Sequence, residues 1–138
     1  MRFNHMEMTF PVGGLTAELR EEIDAFYGSI FGWSALDTEV AGHWCHLLTA
    51  EPDQFILLAE SDTPMHSPGY DHLGLLQQSR EEVDELLAAC ERYAEKDDRV
   101  QIKHNQDLVY PARIVHTFYV KYLLPVYFDV HSFERPQT

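Results

Sequence analysis

The chain has 138 residues, which fits one compact domain or two small halves that share a core. Its hydrophobic content of 45% and aromatic content of 12% favour a folded protein and argue against a disordered one. The formal charge of −13, with no cluster of Lys and Arg to offset it, argues against nucleic acid as a partner. No segment approaches the roughly 20 apolar residues of a membrane span, and the first residues lack the apolar run of a signal peptide. We therefore expect a cytoplasmic protein with no membrane partner. The two cysteines, Cys45 and Cys90, lack the spacing of metal ligands and are expected to be buried free thiols.

The first half of the chain reads as a strand, a helix and three further strands. Alternation predicts a strand over residues 3–10 that places His5 and Glu7 on one face. Thr16 is a suitable N-cap for the following helix, and Gly32 is a suitable residue to end it. Strands are then predicted over residues 34–40, 44–50 and 55–60.

The second half repeats this order after a polar linker, residues 62–70. A strand led by His72 precedes a helix capped by Ser79, and strands are predicted over residues 100–104, 114–122 and 126–133. The two leading histidines lie 67 residues apart and the two caps 63 apart, which indicates a duplicated unit. The prediction is an α+β fold in one domain, residues 1–138, built from two paired βαβββ modules over residues 1–61 and 71–138. Together they are expected to form a curved mixed sheet with a concave cleft.

Three residues of this pattern predict a metal site. Asp129 shares one face of the last strand with His131, and with His5 and His72 it forms a set of two histidines and one carboxylate. Such a set binds divalent first-row metals and leaves coordination positions open. A single histidine at the start of a strand is more often a hydrogen-bonded surface residue. His5 and His72 are predicted as ligands because they occupy equivalent positions in the two repeats. Four further histidines have no equivalent histidine in the other half and are expected in loops or on the surface: His43, His46, His66 and His104.

The segments HMEMTF at residues 5–10 and FYGSIFGW at residues 26–33, with the second histidine-led strand, resemble the vicinal oxygen chelate superfamily. That superfamily includes glyoxalase I, fosfomycin- and bleomycin-resistance proteins and extradiol dioxygenases. The resemblance covers nearly the whole chain and implies the ligands His5, His72 and Asp129. The family usually has Glu at the last of these positions. The fourth ligand of glyoxalase I aligns with Leu57, so a four-ligand site is incomplete here and a three-ligand site remains.

The resemblance implies a metal-dependent glyoxalase- or dioxygenase-like enzyme, a lyase, isomerase or related type, acting on a small oxygen-chelating metabolite. The metal would be Zn, Mn, Fe, Ni or Co. Glu7 or His131 would transfer a proton. Tyr119 and Lys121 would bind a substrate anion if their face of strand 114–122 lines the cleft. A hairpin register changed by one residue would place the opposite face there instead, with His116, Phe118 and Val120.

The alternative is a metal-free binding protein of the bleomycin-resistance type that sequesters a small planar or cationic compound. Five aromatic residues are candidates to line its pocket, although most of them are expected in the core: Trp33, Trp44, Tyr110, Tyr119 and Tyr127. In both cases we expect a homodimer. The sequence does not identify the substrate.

Overall fold

A computed structural model describes residues 1–135 of the chain. The chain divides into two compact units, Met1–His66 and a second unit that begins at Ser67, and the boundary falls inside the predicted linker. The predicted second module extends to residue 138, so its last three residues lie outside the described part. Neither of the helices within residues 1–135 is long and apolar enough to cross a membrane.

The first unit contains five elements in the predicted order. They are β1 (His5–Pro11), α1 (Ala17–Phe31), β2 (Ser34–Val40), β3 (His43–Glu51) and β4 (Gln54–Ser61). The sheet order is β1-β4-β3-β2, in which β1 and β4 are parallel and the other neighbours are antiparallel.

Helix α1 begins and ends at the predicted residues. The Leu19 N–H donates to Thr16 Oγ1 at 3.1 Å, which satisfies one of the free amides of the first turn. Gly32 ends the helix with a φ of 72°, a left-handed conformation that glycine adopts without steric cost. The helix buries Ile23, Phe26 and Tyr27, and the strand residues buried on the face beneath it include Met8, Leu48 and Leu58. The opposite face of β1 therefore carries His5, Glu7 and Thr9.

The second unit has the same order with one additional strand. Its elements are β5 (His72–Leu76), α2 (Arg80–Ala94), β6 (Gln101–His104), β7 (Leu108–Tyr110), β8 (Arg113–Lys121) and β9 (Tyr127–Glu134). The sheet order is β5-β9-β8-β6, in which β5 and β9 are parallel. Strand β7 also pairs with β8. The predicted α+β fold of two βαβββ modules is confirmed. Strand β7 was not predicted from the sequence. With three residues it is too short to show an alternating pattern.

The core of the second unit lies between α2 and one face of its sheet. Helix α2 is capped by Ser79 as predicted and buries Val83 and Cys90. The strand residues buried beneath the helix are Phe118, Val120, Phe128 and Val130. Cys45 and Cys90 are both free and buried, and burial raises the pKa of the Cys90 thiol to about 12.

Most of the five candidate aromatic residues are not in the core, so that prediction is wrong. Tyr127 alone among them is buried, whereas Trp44 is 73% exposed and Tyr110 is 51% exposed. Tyr110 belongs to β7, where all three residues are exposed. Trp33 stacks on Tyr27 with ring centroids 5.3 Å apart, so its ring packs against the end of α1.

Candidate functional site

The two parallel strand pairs have the same register relative to their leading histidines. His5 lies opposite Phe55, and His72 lies opposite Tyr127. Two residues further along each strand pair, Glu7 lies opposite Leu57 and Gly74 lies opposite Asp129. Leu57 and Asp129 therefore occupy equivalent positions, and only the second unit places a carboxylate there.

His72 and Asp129 form the centre of the candidate site. His72 Nε2 lies 3.7 Å from Asp129 Oδ2. His72 Nδ1 donates to the Tyr70 carbonyl oxygen at 2.8 Å, which orients the ring so that Nε2 faces the carboxylate of Asp129. Asp129 Oδ1 accepts a hydrogen bond from the Thr117 hydroxyl, which orients the carboxylate. Metal-binding histidines and carboxylates are held by such outer hydrogen bonds, so this pair supplies one nitrogen and one oxygen donor suited to a divalent metal.

His131 lies next to this pair, as predicted. Its Nδ1 is 3.4 Å from Asp129 Oδ1 and 3.0 Å from the Asp129 carbonyl oxygen. Gly74, on the neighbouring strand, makes room for the imidazole: a Cβ at this position would lie 3.1 Å from His131 Cε1. His131 is thus a group able to exchange a proton beside the carboxylate.

The hairpin register places Tyr119 and Lys121 on the same face as His72 and Asp129. Tyr119 pairs directly with Asp129, and its ring lies 4.7 Å from that of His72 between centroids. Burial, and then the negative charge of Asp129, raise the pKa of Tyr119. Lys121 Nζ lies 5.4 Å from the centre of the Tyr127 ring. The alternative face of β8 packs under α2: Phe118 and Val120 are fully buried there.

Two further residues of this surface were not among the predicted site residues. Tyr70 lies 5.2 Å from Tyr127 and 6.4 Å from Tyr119 between ring centroids. Lys103 Nζ lies 4.1 Å from the centre of the Tyr70 ring and 5.3 Å from that of Tyr119. Lys103 pairs with Tyr119 in the sheet, so alternation along residues 100–104 could have placed it on this face once the register of β8 was known. Tyr70 lies in the linker, where no periodic signal exists.

The remaining predicted site residues, His5 and Glu7, belong to the first unit. His5 stacks on Phe55 with ring centroids 4.8 Å apart, and its Nδ1 lies 2.7 Å from Asn4 Oδ1. Its Nε2 has no hydrogen-bond partner among residues 1–135, so His5 presents the same nitrogen as His72. Glu7 is exposed on the same face of β1. Both residues remain predicted members of the site.

Within residues 1–135, no three His, Cys, Asp or Glu side chains are arranged as a metal site. The structure brings together two of the three predicted ligands, His72 and Asp129, in one unit. The chemistry of this pair fits a divalent metal, because a neutral imidazole nitrogen and a carboxylate oxygen are ordinary ligands of such ions. The third ligand, His5, stays a prediction.

The expectation that His46 lies in a loop or on the surface is wrong. His46 is in β3 and 3% exposed, with Nε2 2.6 Å from Asp24 Oδ1 and Nδ1 2.6 Å from Asp37 Oδ1. The carboxylates come from α1 and from the neighbouring strand β2, so the buried imidazole joins three elements of the first unit. His116 has a similar arrangement in the second unit, with Asp84 from α2 and the nearby Asp107.

No family model matches the sequence, and no curated protein matches it. Solved structures with a similar fold include a variant of the fosfomycin resistance protein FosX from Listeria monocytogenes, complexed with Mn(II) and 1S,2S-dihydroxypropylphosphonic acid. It is 16% identical, the match covers 95% of this chain and 91% of that chain, and the TM-score is 0.66. A glyoxylase/bleomycin resistance protein/dioxygenase domain from Frankia sp. is 13% identical over 97% of this chain and 98% of that chain, with a TM-score of 0.63. A possible glyoxalase from Bacillus cereus is 20% identical over 94% and 97%, with a TM-score of 0.56. At these identities the likeness concerns the fold. The protein has the fold of the vicinal oxygen chelate superfamily, as the resemblance in its sequence predicted.

Proposed function

We propose that the protein is a divalent-metal-dependent enzyme of the lyase or isomerase type, or a related one. Its substrate would be a small molecule that offers two oxygen atoms to the metal and carries an anionic group. The observation that supports this proposal most is the geometry of the His72–Asp129 pair, with Nε2 and Oδ2 3.7 Å apart. The Mn(II) complex of the FosX variant gives further support, since that protein shares the fold.

In this proposal, His5, His72 and Asp129 hold the metal, which would polarise the oxygen atoms of the bound substrate. Tyr119 and Lys121 bind the anionic group, because a phenol hydroxyl and an ammonium both donate hydrogen bonds to anions. His131 lies beside Asp129 and accepts or returns a proton. Glu7 is the alternative proton acceptor.

Metal analysis of protein purified without a histidine tag tests the metal part of the proposal. We expect about one divalent ion per chain, removable by a chelator and restored by adding Zn, Mn, Fe, Ni or Co. Binding should weaken in acid, because an imidazole must be neutral to bind a metal. Wild-type protein that takes up no ion after chelator treatment would contradict the proposal.

Turnover tests the enzymatic part. A panel of small hydroxy acids, diols and phosphonates should contain a compound that the metal-loaded protein converts and the chelator-treated protein does not. Lys121→Met should raise KM for an anionic substrate and leave kcat less affected, since the ammonium contributes to binding. An equal effect of this substitution on a neutral analogue would contradict the assignment of Lys121.

A metal-free binding protein is the second candidate function. The surface formed by Tyr70, Tyr119, Tyr127, Lys103 and Lys121 favours it, because three aromatic rings and two ammonium groups suit a planar anionic compound. Binding of such a compound that is unchanged by a chelator, with no metal in the protein, would favour this candidate over the enzyme.

We also propose that the protein forms a homodimer, since small sheet units tend to bury their edges and apolar surface against a partner. Sedimentation equilibrium should give twice the mass of the chain. A monomer at high micromolar concentration would contradict the proposal.

A further inference from the structure

A pocket of about 550 Å³ lies in the first unit and is separate from the residues assigned to the metal or substrate. Its volume is within the range of about 300–1,000 Å³ found for small-molecule sites. The residues that line it come from the segment before α1, from α1, from β2 and β3, and from the end of β4: Leu15, Arg20, Asp37, Trp44, Cys45, His46 and Glu60. The strand residues Asp37, His46 and Glu60 lie on the side of the sheet that faces α1.

The pocket exists because β3 and β4 stop pairing before their ends. Their antiparallel pairing runs as far as His46 opposite Leu58. On this face, the next pair in the same register would be Trp44 and Glu60, and these two residues are not paired. The strands therefore separate at this point and leave a space beneath the start of the helix.

Two carboxylates at the pocket, Asp37 and Glu60, are exposed, and each has one oxygen that makes no hydrogen bond within residues 1–135. Asp37 Oδ1 contacts His46 and Arg20, whereas Oδ2 makes no hydrogen bond within residues 1–135. Glu60 Oε2 accepts from the Leu15 N–H at 3.1 Å, whereas Oε1 makes no contact of this kind. Glu60 also has no cationic partner in this part of the chain. The two free oxygens and the 73% exposed ring of Trp44 are groups that attract an organic cation.

Arg20 is a cationic side chain at the pocket, and its ion pair is with Asp37. Its Nε lies 3.4 Å from Asp37 Oδ1, and its Nη1 donates to the Leu15 carbonyl oxygen at 2.9 Å. The guanidinium is thereby held at the Asp37 side of the pocket. Glu60, which is exposed, has no ion pair with a cationic side chain within residues 1–135.

The second unit has a connected ionic network near the corresponding end of its sheet. There β8 and β9 stay paired as far as Ile114 and Glu134, so the strands do not separate. The Arg80 guanidinium lies between two carboxylates, 2.6 Å from Asp107 and 2.8 Å from Glu134. The parallel strand pairs make Glu60 equivalent to Ser132. His116 pairs with Ser132, and Trp44 would pair with Glu60, so His116 occupies the position that corresponds to Trp44. By the same pairing, Asp37 and Glu60 correspond to His104 and Ser132, so the second unit does not repeat the two carboxylates of the pocket.

We propose that this pocket binds a small organic cation, a primary ammonium or guanidinium group attached to an apolar body. The cationic group lies between Asp37 Oδ2 and Glu60 Oε1, and the body packs against Trp44 and Leu15. With two carboxylates and one guanidinium among the lining residues, the local charge of the pocket favours a cation over an anion. This site is independent of the proposed metal site in its residues and in the charge of its ligand.

Calorimetric titration of chelator-treated protein with benzylguanidine, benzylamine and agmatine tests the proposal, with benzyl alcohol as a neutral control. At least one of the three cations should bind saturably, and benzyl alcohol should not. Glu60→Gln should weaken binding about tenfold, since the neutral amide still accepts from the Leu15 N–H but loses the charge. Trp44→Ala should weaken it by a similar factor, and this exposed residue can be replaced without disturbing the core.

Two control variants separate this site from other effects. Glu134→Gln changes the same kind of carboxylate in the second unit, and His72→Ala removes a proposed metal ligand, so both should bind the cation like the wild type. Thermal unfolding should confirm that each variant is folded. Equal binding of benzyl alcohol, unchanged affinity of Glu60→Gln, or no saturable binding of any of the three cations would overturn the proposal.

Discussion

The two units repeat the same parallel strand pairing but differ in the side chains that it brings together. In the first unit Glu7 lies opposite the buried Leu57, and in the second Gly74 lies opposite Asp129. The backbone geometry is therefore duplicated, whereas the position shared by Leu57 and Asp129 carries a carboxylate only in the second unit. The three ligands that we propose, His5, His72 and Asp129, would supply two imidazoles and one carboxylate, which leaves positions on a metal open for substrate.

A second difference concerns the ionic networks around His46 and His116. Leu58 and Val130 are equivalent by the parallel pairing, yet His46 lies opposite Leu58 and His116 lies opposite Ser132. The network of the second unit is thus displaced by one cross-strand pair along the sheet. In the second unit, the histidine and its carboxylates lie at the position of His116. In the first unit, the corresponding position is Trp44, which lines the pocket, and the histidine lies one pair further along the sheet.

Removing one imidazole is expected to have the largest effect. His5→Ala or His72→Ala should reduce affinity for the metal by about 1,000-fold, because two remaining ligands retain a divalent ion poorly. Titration of chelator-treated protein with the metal gives the affinity. His104→Ala is the matched control, since His104 is exposed and, within residues 1–135, its side chain forms one ion pair, with Nε2 3.3 Å from Glu91 Oε1. If His5→Ala bound metal like the wild type, the two histidines would not share an ion.

Placing an acid in the first unit would make the two units more alike. Leu57 is 8% exposed, so Leu57→Glu should lower the free energy of unfolding by about 3 kcal/mol in the absence of metal. Added metal should restore part of this stability if the new carboxylate reaches the ion. Denaturant unfolding with and without metal measures both effects, with Leu57→Met as the control for volume. No difference between the two variants in their response to metal would show that position 57 does not face the site.

Changing the acid of the second unit tests whether its charge or its length matters. Asp129→Ala should weaken metal binding about 100-fold, whereas Asp129→Glu, which introduces the usual residue of the superfamily, should remain within about tenfold of the wild type. Metal titration again gives the affinities. Equal losses for the two variants would argue against a carboxylate ligand at this position.

The two arginines should contribute unequally to stability. Arg80 contacts Glu134, Asp107 and His116, whereas Arg20 has one ion pair at 3.4 Å and one bond to a carbonyl oxygen. Replacement by Met keeps most of the apolar stem and removes the charge. Arg80→Met should therefore lower the free energy of unfolding by about 2 kcal/mol, and Arg20→Met by less than about 1 kcal/mol. Equal losses in urea unfolding would show that the contacts of Arg80 add no stability.

The smallest expected effect is the pH dependence of the second network. Hydrogen bonds from Arg80 lower the pKa values of Asp107 and Glu134, so their stabilising contribution is present above ordinary carboxyl pKa values and is lost in acid. Burial lowers the pKa of His116, but hydrogen bonds to Asp107 and Asp84 outweigh burial and raise it. Its contribution is present below the ordinary imidazole pKa and is lost as the pH rises through the raised value.

Stability from this network should therefore be greatest between about pH 4.5 and 6.5 and decline on both sides. His116→Gln should remove the part of the decline that occurs above pH 6.5. Urea unfolding at pH 5, 6, 7 and 8 measures this decline. A variant with the same pH profile as the wild type would contradict the role of His116.

The sequence determined the order of elements and the faces of the main strands, because these depend on local rules. The caps Thr16 and Ser79 satisfy amides of their own helices, and Gly32 adopts a conformation that glycine favours. Alternation along β9 placed Asp129 and His131 together without knowledge of any partner strand.

Tertiary structure decided the features that depend on pairing between distant segments. The register of β8 against β9 placed Tyr119 opposite Asp129, and a period of two residues by itself allows either register. The burial of His46 required Asp24, 22 residues away on α1, and no periodic signal in β3 encodes that partner. The pocket beside Trp44 arises because β3 and β4 stop pairing early, a property of two strands together. Local patterns specify which face a side chain takes, and long-range pairing specifies which other side chains it meets.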